Sequence, residues 1–273
     1  MTRRTYWHLE QRKKKPDEYD IVTSKLLYYR ERGFEVQTPI DQWYAKFQRG
    51  SRLVAPDWEQ FRDPRATTYA SYVALAKERE TFVDGILETI DDRDTDPATL
   101  RMLPVLRYPL HGLQMVASYL GSMAPGGRLV VCFAFQAGDE MRRVQRLAYR
   151  MRQVQVAHPG FGDDAKTVWT KDPAWQPLRR LVEELLVTYD WGEAFVALNV
   201  VVKPILDDVF ARWGNDKDRM MLGSFAQDHA WHRAWTEAAL AIATYPRDEW
   251  VAKWQPLVDT AVSALGPWWK GAA

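Results

Sequence analysis

The chain has 273 residues and nearly balanced charge, 37 Lys and Arg against 36 Asp and Glu for a net +1, so it offers no field to recruit nucleic acid or an anionic membrane. One cysteine excludes a disulfide framework and suits a reducing cytoplasm, and no apolar run approaches the ~18 residues of a membrane span. The length allows one large core with extensions, while 13 tryptophans supply aromatic surface that cores and subunit interfaces both favour.

The start Met1-Thr2-Arg3-Arg4 is basic with no apolar segment behind it, so neither a signal peptide nor an anchor is expected. Residues 1–57 carry no sustained helical stripe. They mix the basic cluster Arg12 to Lys15, read as a solvated face, with tyrosines, Gly33, Pro16, Pro39 and Pro56. They are expected to form an extended N-terminal arm, distinct from a helical domain over 58–273. One short helix interrupts the arm, because Thr38-Pro39-Ile40-Asp41 offers an N-cap, a proline at the first helical position and an early acid, and Gly50 stops it. The aromatic residues Trp7, Tyr19, Tyr28, Tyr29, Phe34 and Trp43 need a surface to bury against, which makes them candidates for a partner interface.

Thr67 or Thr68 caps a long helix running to about Arg93, roughly 40 Å at ~1.5 Å per residue. In it Tyr69, Tyr72, Val73, Ala76, Val83, Ile86, Leu87 and Ile90 recur at three- and four-residue spacing, which predicts one buried stripe. Asp96-Pro97 caps a new start, Pro104 and Pro109 bend it, and the apolar stretch 110–123 makes a second core helix ending at Pro125-Gly126-Gly127. A third helix over 128–157 begins apolar, from Leu129 to Phe135. It turns arginine-rich at Arg142, Arg143, Arg146, Arg150 and Arg152, which predicts that it leaves the core at its far end. Residues 158–171 read as the longest loop. Asp172-Pro173 restarts helix through Leu178, Leu181 and Leu185, with a break at Asp190-Trp191-Gly192 and a kink at Pro204. One long helix is expected over 215–244 and a last one over 248–265, stopped by Gly266-Pro267. With no hairpin signal and no repeat period, the fold class is an all-α bundle.

Within the third helix, Gly138-Asp139-Glu140-Met141-Arg142-Arg143 nearly spells the Glu-x-x-His half-site of carboxylate-bridged di-iron bundles, with Glu140 and position 143 on one helical face. Arg143 stands where the histidine would be, and a guanidinium has no lone pair for a metal. The plain alternative is an ordinary Glu/Arg pair within a helix. Three residues before His8, His111, His158, His229 and His232 stand Thr5, Tyr108, Gln155, Ala226 and His229. Glu-x-x-His therefore occurs nowhere, whereas the usual di-iron bundle uses two, and no metal site is expected in this chain. His229 and His232 share a helical face beside Asp228, but no further ligands are indicated. Glu193 is either a leftover core carboxylate or the third-position glutamate of a capping box opened by Asp190. No Gly-rich phosphate loop or nucleophile elbow stands out and Cys132 has no evident base, so no catalytic residue is assigned.

Glu18-Tyr19-Asp20-Ile21-Val22, Gly33-Phe34-Glu35-Val36, the segment Trp58-x-x-Phe61-x-Asp63-Pro64-x-x-Thr67-Thr68-Tyr69-x-x-Tyr72 and the Asp139-Glu140 helix carry a family resemblance. They resemble the beta subunit of bacterial multicomponent monooxygenase hydroxylases, nearer the toluene, alkene and phenol branch than the methane branch. The similarity runs from about Tyr19 into the helix holding Trp231 and Trp235, and Trp58 to Tyr72 is its most specific part.

The resemblance implies a ferritin-like helical bundle related to the catalytic alpha subunit but lacking its metal site. It implies a non-catalytic structural role in an NAD(P)H-dependent di-iron monooxygenase, which inserts one oxygen atom of O2 into an aromatic hydrocarbon or alkene. No cofactor is implied in this chain; a di-iron centre is expected in the partner alpha subunit. A small gamma subunit, a paired hetero-hexamer, and a reductase, ferredoxin and effector protein of the same system are implied as partners. In that alpha subunit an Asp-Glu-x-Arg-His run supplies two ligands, and Asp139-Glu140-Met141-Arg142-Arg143 resembles its degenerate relative. Gly192-Glu193-Ala194 resembles the run holding a later iron-ligating glutamate, so Glu140, Arg143 and Glu193 are expected as degenerate metal-site positions. Two other readings stay open: a stand-alone ferritin-like protein with an unusual metal site drawn from His111, Glu140, Glu193, Asp228 and His232, and a helical adaptor unrelated to oxygenases.

Overall fold

The structure, a computed structural model, describes residues 39–93, 95–213 and 215–269. Helix α1 spans Pro39–Phe47, with its proline in the first turn as expected. Helix α2 spans Tyr69–Leu87 and is opened by Thr68, whose hydroxyl and that of Ser71 form a reciprocal capping box. After a short turn of tighter helix at Pro97–Leu100, capped by Asp96, come α3 (Leu103–Met123) and α4 (Gly127–Ala157). Next are α5 (Ala165–Lys171), α6 (Gln176–Leu186) and α7 (Trp191–Val196). A π-helical turn over Ala197–Val202 joins α7 to α8 (Lys203–Ala211). Helices α9 (Asp216–Ser224), α10 (Ala226–Leu240), α11 (Arg247–Ala264) and α12 (Gly266–Trp269) follow. Extended pairing among the described residues is confined to the isolated bridge Val54–Thr244. The all-α class is the one expected.

The long helices α3 and α4, joined by the turn at Ala124 to Gly126, pack along each other and form the centre. Helix α11 packs on α6 and on the π-helical turn, α10 on α4, and α2 on α9. The tryptophans mostly serve the interior: Trp175, Trp191, Trp213, Trp235 and Trp254 are among the largest fully buried side chains. Phe133 meets Trp235 edge-on at 4.8 Å and Phe195 stacks on Trp235 at 5.6 Å, contacts worth about 0.5–1.5 kcal/mol each beyond their buried area.

Several elements differ from expectation for identifiable reasons. Helix α2 stops at Leu87 rather than near Arg93; the Thr89 hydroxyl donates to Ile86 O (2.7 Å) and the chain turns so that Asp92 meets Arg150 of α4. Its stripe is buried only at the far end, through Val83, Ile86 and Leu87, while Tyr69 is 75% and Val73 44% exposed. The expected loop 158–171 contains α5. It is reached through Gly160 and Gly162 in the left-handed region, and a Cβ on Gly162 would stand 2.7 Å from Pro104 Cβ, so glycine is required there. The expected single helix over 215–244 is broken at buried Phe225, where the Ser224 hydroxyl donates to the Met221 carbonyl at 2.6 Å. Pro204, lacking an N–H, is preceded by the π-helical turn, which is how the chain accommodates the expected kink. Most consequential, α4 does not leave the core: Arg142, Arg143 and Arg150 are all buried.

Candidate functional site

Where α4, α8 and α10 meet, four ionised groups lie together, each at most 5% exposed at its side chain. Glu140 and Arg143 are one turn apart on α4, and Lys203 and Asp207 are one turn apart on α8. The Arg143 guanidinium donates to Glu140 Oε2 (2.8 Å) and Asp207 Oδ1 (2.9 Å). The Lys203 ammonium donates to Asp207 Oδ2 (2.8 Å) and pairs with Glu140 Oε1. Two carboxylates and two cations sum to zero, the condition under which buried charge is tolerated. Burial alone would raise the Glu140 carboxyl; Lys203 and then Arg143 outweigh it and hold it down at about 2. Asp207 is lowered by the same contest between burial and the two cations.

Histidines and a tyrosine edge this cluster. His229 Nδ1 lies 3.3 Å from Asp207 Oδ2, and His232 Nε2 lies 3.0 Å from Asp139 Oδ2. Tyr72 on α2 donates to Asp139 Oδ1 at 3.2 Å, and burial, then Asp139, raises its phenol. Burial lowers both imidazoles, His229 well below 6.5, and Lys203 opposes protonation of each, so both are neutral at pH 7.

A second layer of ion pairs continues along α4. Arg142 pairs with Asp228 and with Glu80 (3.1 Å), and Asp228 also receives Arg79. Arg146 pairs with Glu80 and Asp84, while buried Arg150 binds Asp92 (2.5 Å) and Asp218 (2.7 Å). Arg142, Arg146 and Arg150 recur every four residues, so they form one helical stripe that faces acids from α2, α9, α10 and Asp92. The spacing places the three on one face but does not distinguish water from acids as its partner, which is why an arginine run expected to leave the core is instead buried. Lys203 and Asp207 sit four apart in an apolar run, and nothing local in the sequence signals that they meet Glu140 and Arg143.

Glu140 and Arg143 are thus paired within their helix, and the pair is buried. Glu193 lies elsewhere: its backbone N–H donates to Asp190 Oδ1 (2.8 Å), as a cap requires, and its carboxylate accepts from Trp254 Nε1 (3.0 Å) and pairs with Lys253 of α11. His111 is exposed on α3, Asp228 is held between two arginines, and His232 is bound to Asp139. Trp43 lies on α1 and is 36% exposed; Trp7, Tyr19, Tyr28, Tyr29 and Phe34 lie outside the described residues. Cys132 is buried, and burial pushes its thiol up to about 12, far from a reactive thiolate.

The donor set does not fit a di-iron centre. Glu140 and Asp207 are each engaged by two cations, and neither a guanidinium nor a protonated ammonium has a lone pair to give a metal. Among the described residues no group of three or more His, Cys, Asp or Glu is arranged to hold a metal ion. No helix among them is long and apolar enough to cross a membrane.

A family model described as Methane/Phenol/Alkene Hydroxylase matches residues 41–245. The toluene-4-monooxygenase system, hydroxylase component subunit beta, of Ectopseudomonas mendocina is 32% identical, covering 96% of this chain and 89% of that protein. The phenol 2-monooxygenase oxygenase component DmpL of Pseudomonas sp. strain CF600 is 27% identical, covering 96% and 87%. Among solved structures, a chain of toluene 4-monooxygenase with toluene bound in its resting active site superposes with a TM-score of 0.77 at 30% identity, covering 96% of this chain and 95% of that one. A chain of phenol hydroxylase from Pseudomonas sp. OX1 shares the fold, with a TM-score of 0.75 at 21% identity over 98% and 89%. The all-α bundle is thus ferritin-like, and the chain belongs to the methane/phenol/alkene hydroxylase family.

Proposed function

We propose that this chain is the non-catalytic beta subunit of the hydroxylase component of a multicomponent monooxygenase acting on an aromatic hydrocarbon or alkene. In this reading a partner alpha subunit carries the di-iron centre and inserts one oxygen atom of O2, and this chain supports it structurally. The observation that carries the proposal is the buried cluster in which Glu140 and Arg143 of the half-site helix meet Lys203 and Asp207 of α8, so that cations stand among the carboxylates. Glu140 and Arg143 are read as degenerate metal positions, with Glu193 diverted to a structural pair. Similarity to a named hydroxylase beta subunit over nearly the whole chain supports the assembly role. Exposed apolar side chains on α2, Tyr69 and Val73 on one side and Leu75 and Phe82 on the other, are open to cover by another subunit.

The remaining partners follow from the same reading: a small gamma subunit, a paired hetero-hexamer, and electrons passed from NAD(P)H through a reductase and ferredoxin under control of an effector protein, in the cytoplasm. The N-terminal aromatic residues Trp7, Tyr19, Tyr28, Tyr29, Phe34 and Trp43 are assigned to the interface with the alpha subunit. Reconstitution tests the role. With electron-transfer proteins and a toluene-class substrate present, hydroxylated product is expected only when this chain and the iron-bearing subunit are combined. Product formed by this chain alone would overturn it.

A further inference from the structure

A groove of about 500 Å³ opens between the π-helical turn, α10 and the start of α11. That volume lies within the roughly 300–1,000 Å³ of small-molecule sites. Val200 and Pro204 line it from one side and Leu240 from the other, all three partly buried. Asn199 and Thr236, 5% and 3% exposed, line it as well, so it reaches down to the interior. One wall is the π-helical turn itself, a distortion that recurs at functional sites.

The charges around this groove do not cancel. Arg233 and Glu237 come from α10 and Arg247 opens α11, so two arginines against one glutamate leave the lining at +1. Both arginines are exposed, and neither pairs with a carboxylate among the described residues. Other surface arginines are neutralised, Arg52 by Glu249 and Arg212 by Asp208. The larger groove between α6 and α11, about 720 Å³, has Arg179 and Arg180 already held by Glu183 and Glu184. Arg247 is also placed by its surroundings. Its N–H donates to the carbonyl of Tyr245 at 2.9 Å, and the Tyr245 ring, itself part of the lining, stacks on buried Trp250 at 6.0 Å.

We propose that this groove binds one small organic acid, an apolar body carrying a single carboxylate. Arg233 and Arg247 supply the charge that holds the carboxylate, a group for which the guanidinium fork is suited. The body lies on Val200, Pro204 and Leu240. One negative charge cancels the +1 of the lining, whereas a neutral hydrocarbon leaves it standing and an organic cation adds to it. A protein partner fits this groove less well, since sites for proteins are marked by exposed apolar patches. None of the large exposed apolar side chains of the described residues lines it, and its own apolar residues are recessed. A bound acid would tie the π-helical turn and α10 to the start of α11. This inference goes beyond the assembly role and does not rest on it.

The test uses the full chain in its purified assembly, with benzoate as the probe. Isothermal titration at low ionic strength is expected to show saturable binding that Arg233→Gln and Arg247→Gln each weaken about fivefold, the effect of removing one exposed charge partner. Arg180→Gln should leave it unchanged, and benzyl alcohol, the same ring without the charge, should bind at least about fivefold more weakly than benzoate. Crystals soaked in para-bromobenzoate locate the site independently, through an anomalous bromine peak over Val200, Pro204 and Leu240. The proposal is overturned if both groove variants bind benzoate like the wild type, if benzyl alcohol binds as well as benzoate, or if bromine appears only elsewhere. A groove found filled by another subunit overturns it too.

Discussion

Replacing Arg143 with alanine should be among the most damaging single changes in the chain. The guanidinium bonds Glu140 Oε2 at 2.8 Å and Asp207 Oδ1 at 2.9 Å with 3% of its side chain exposed, so its removal leaves two buried carboxylates to share the single ammonium of Lys203. The cluster goes from neutral to a net −1 in a dry setting. Breaking a buried pair in this way costs about 3–5 kcal/mol, against under about 1 for an exposed pair such as Arg180–Glu184, at 73% and 36% exposure. Urea unfolding followed by tryptophan fluorescence measures both variants on one scale, and the corresponding loss in Tm is on the order of 10 °C for Arg143→Ala. The double variant Glu140→Leu with Arg143→Met restores neutrality, leaving Lys203 and Asp207 paired, and should recover most of the loss. If Arg143→Ala costs no more than Arg180→Ala, or if the double variant is worse than the single, the charge-balance reasoning is wrong.

Acidification should destabilise the purified chain in two windows. His229 and His232 are held below 6.5 in the fold, so below that pH the unfolded chain binds more protons and the unfolding free energy falls by up to about 1.4 kcal/mol per pH unit for each; a flat profile between pH 7 and 5 contradicts this. The depressed Glu140 carboxyl adds stability that is fully present above its ordinary range near 4.5 and is lost as pH falls toward about 2. A truncation that tests the arm should stop before Tyr44, because Tyr44 and Gln48 bond the end of α3 at 2.7 Å each and Leu53 is in the core. Chain lacking residues 1–43 is expected to keep its circular-dichroism helix signal and to lose the alpha subunit in size-exclusion chromatography; unchanged co-elution would refute the interface assignment.

Helix order was legible in the sequence because caps and breakers act locally. Thr68, Asp96, Asp190 and Asn215 each cap the element they open, and the prolines at 39, 97 and 204 sit in first turns. What was not legible is tertiary. Arginine at positions 142, 146 and 150 has the same helical pattern whether it faces water or acids, and only the partners Asp92, Asp218 and Asp228, tens of residues distant, decide it. The same holds for α2, whose apolar stripe predicts burial but does not say whether this chain or another supplies the cover. At the site, Glu140 and Arg143 were readable as neighbours on one helical face. Lys203 and Asp207 were not, since their pairing with α4 depends on how the π-helical turn sets α8.

The most direct measurement is native mass spectrometry with metal analysis on the protein captured through a tag on this chain from a host expressing its whole gene neighbourhood. The account predicts that this chain is retained in a stable complex with a larger subunit, that iron tracks that subunit at about two per copy, and that the chain released from the complex carries none. Recovery of this chain alone with one or two irons bound to it would contradict the central claim.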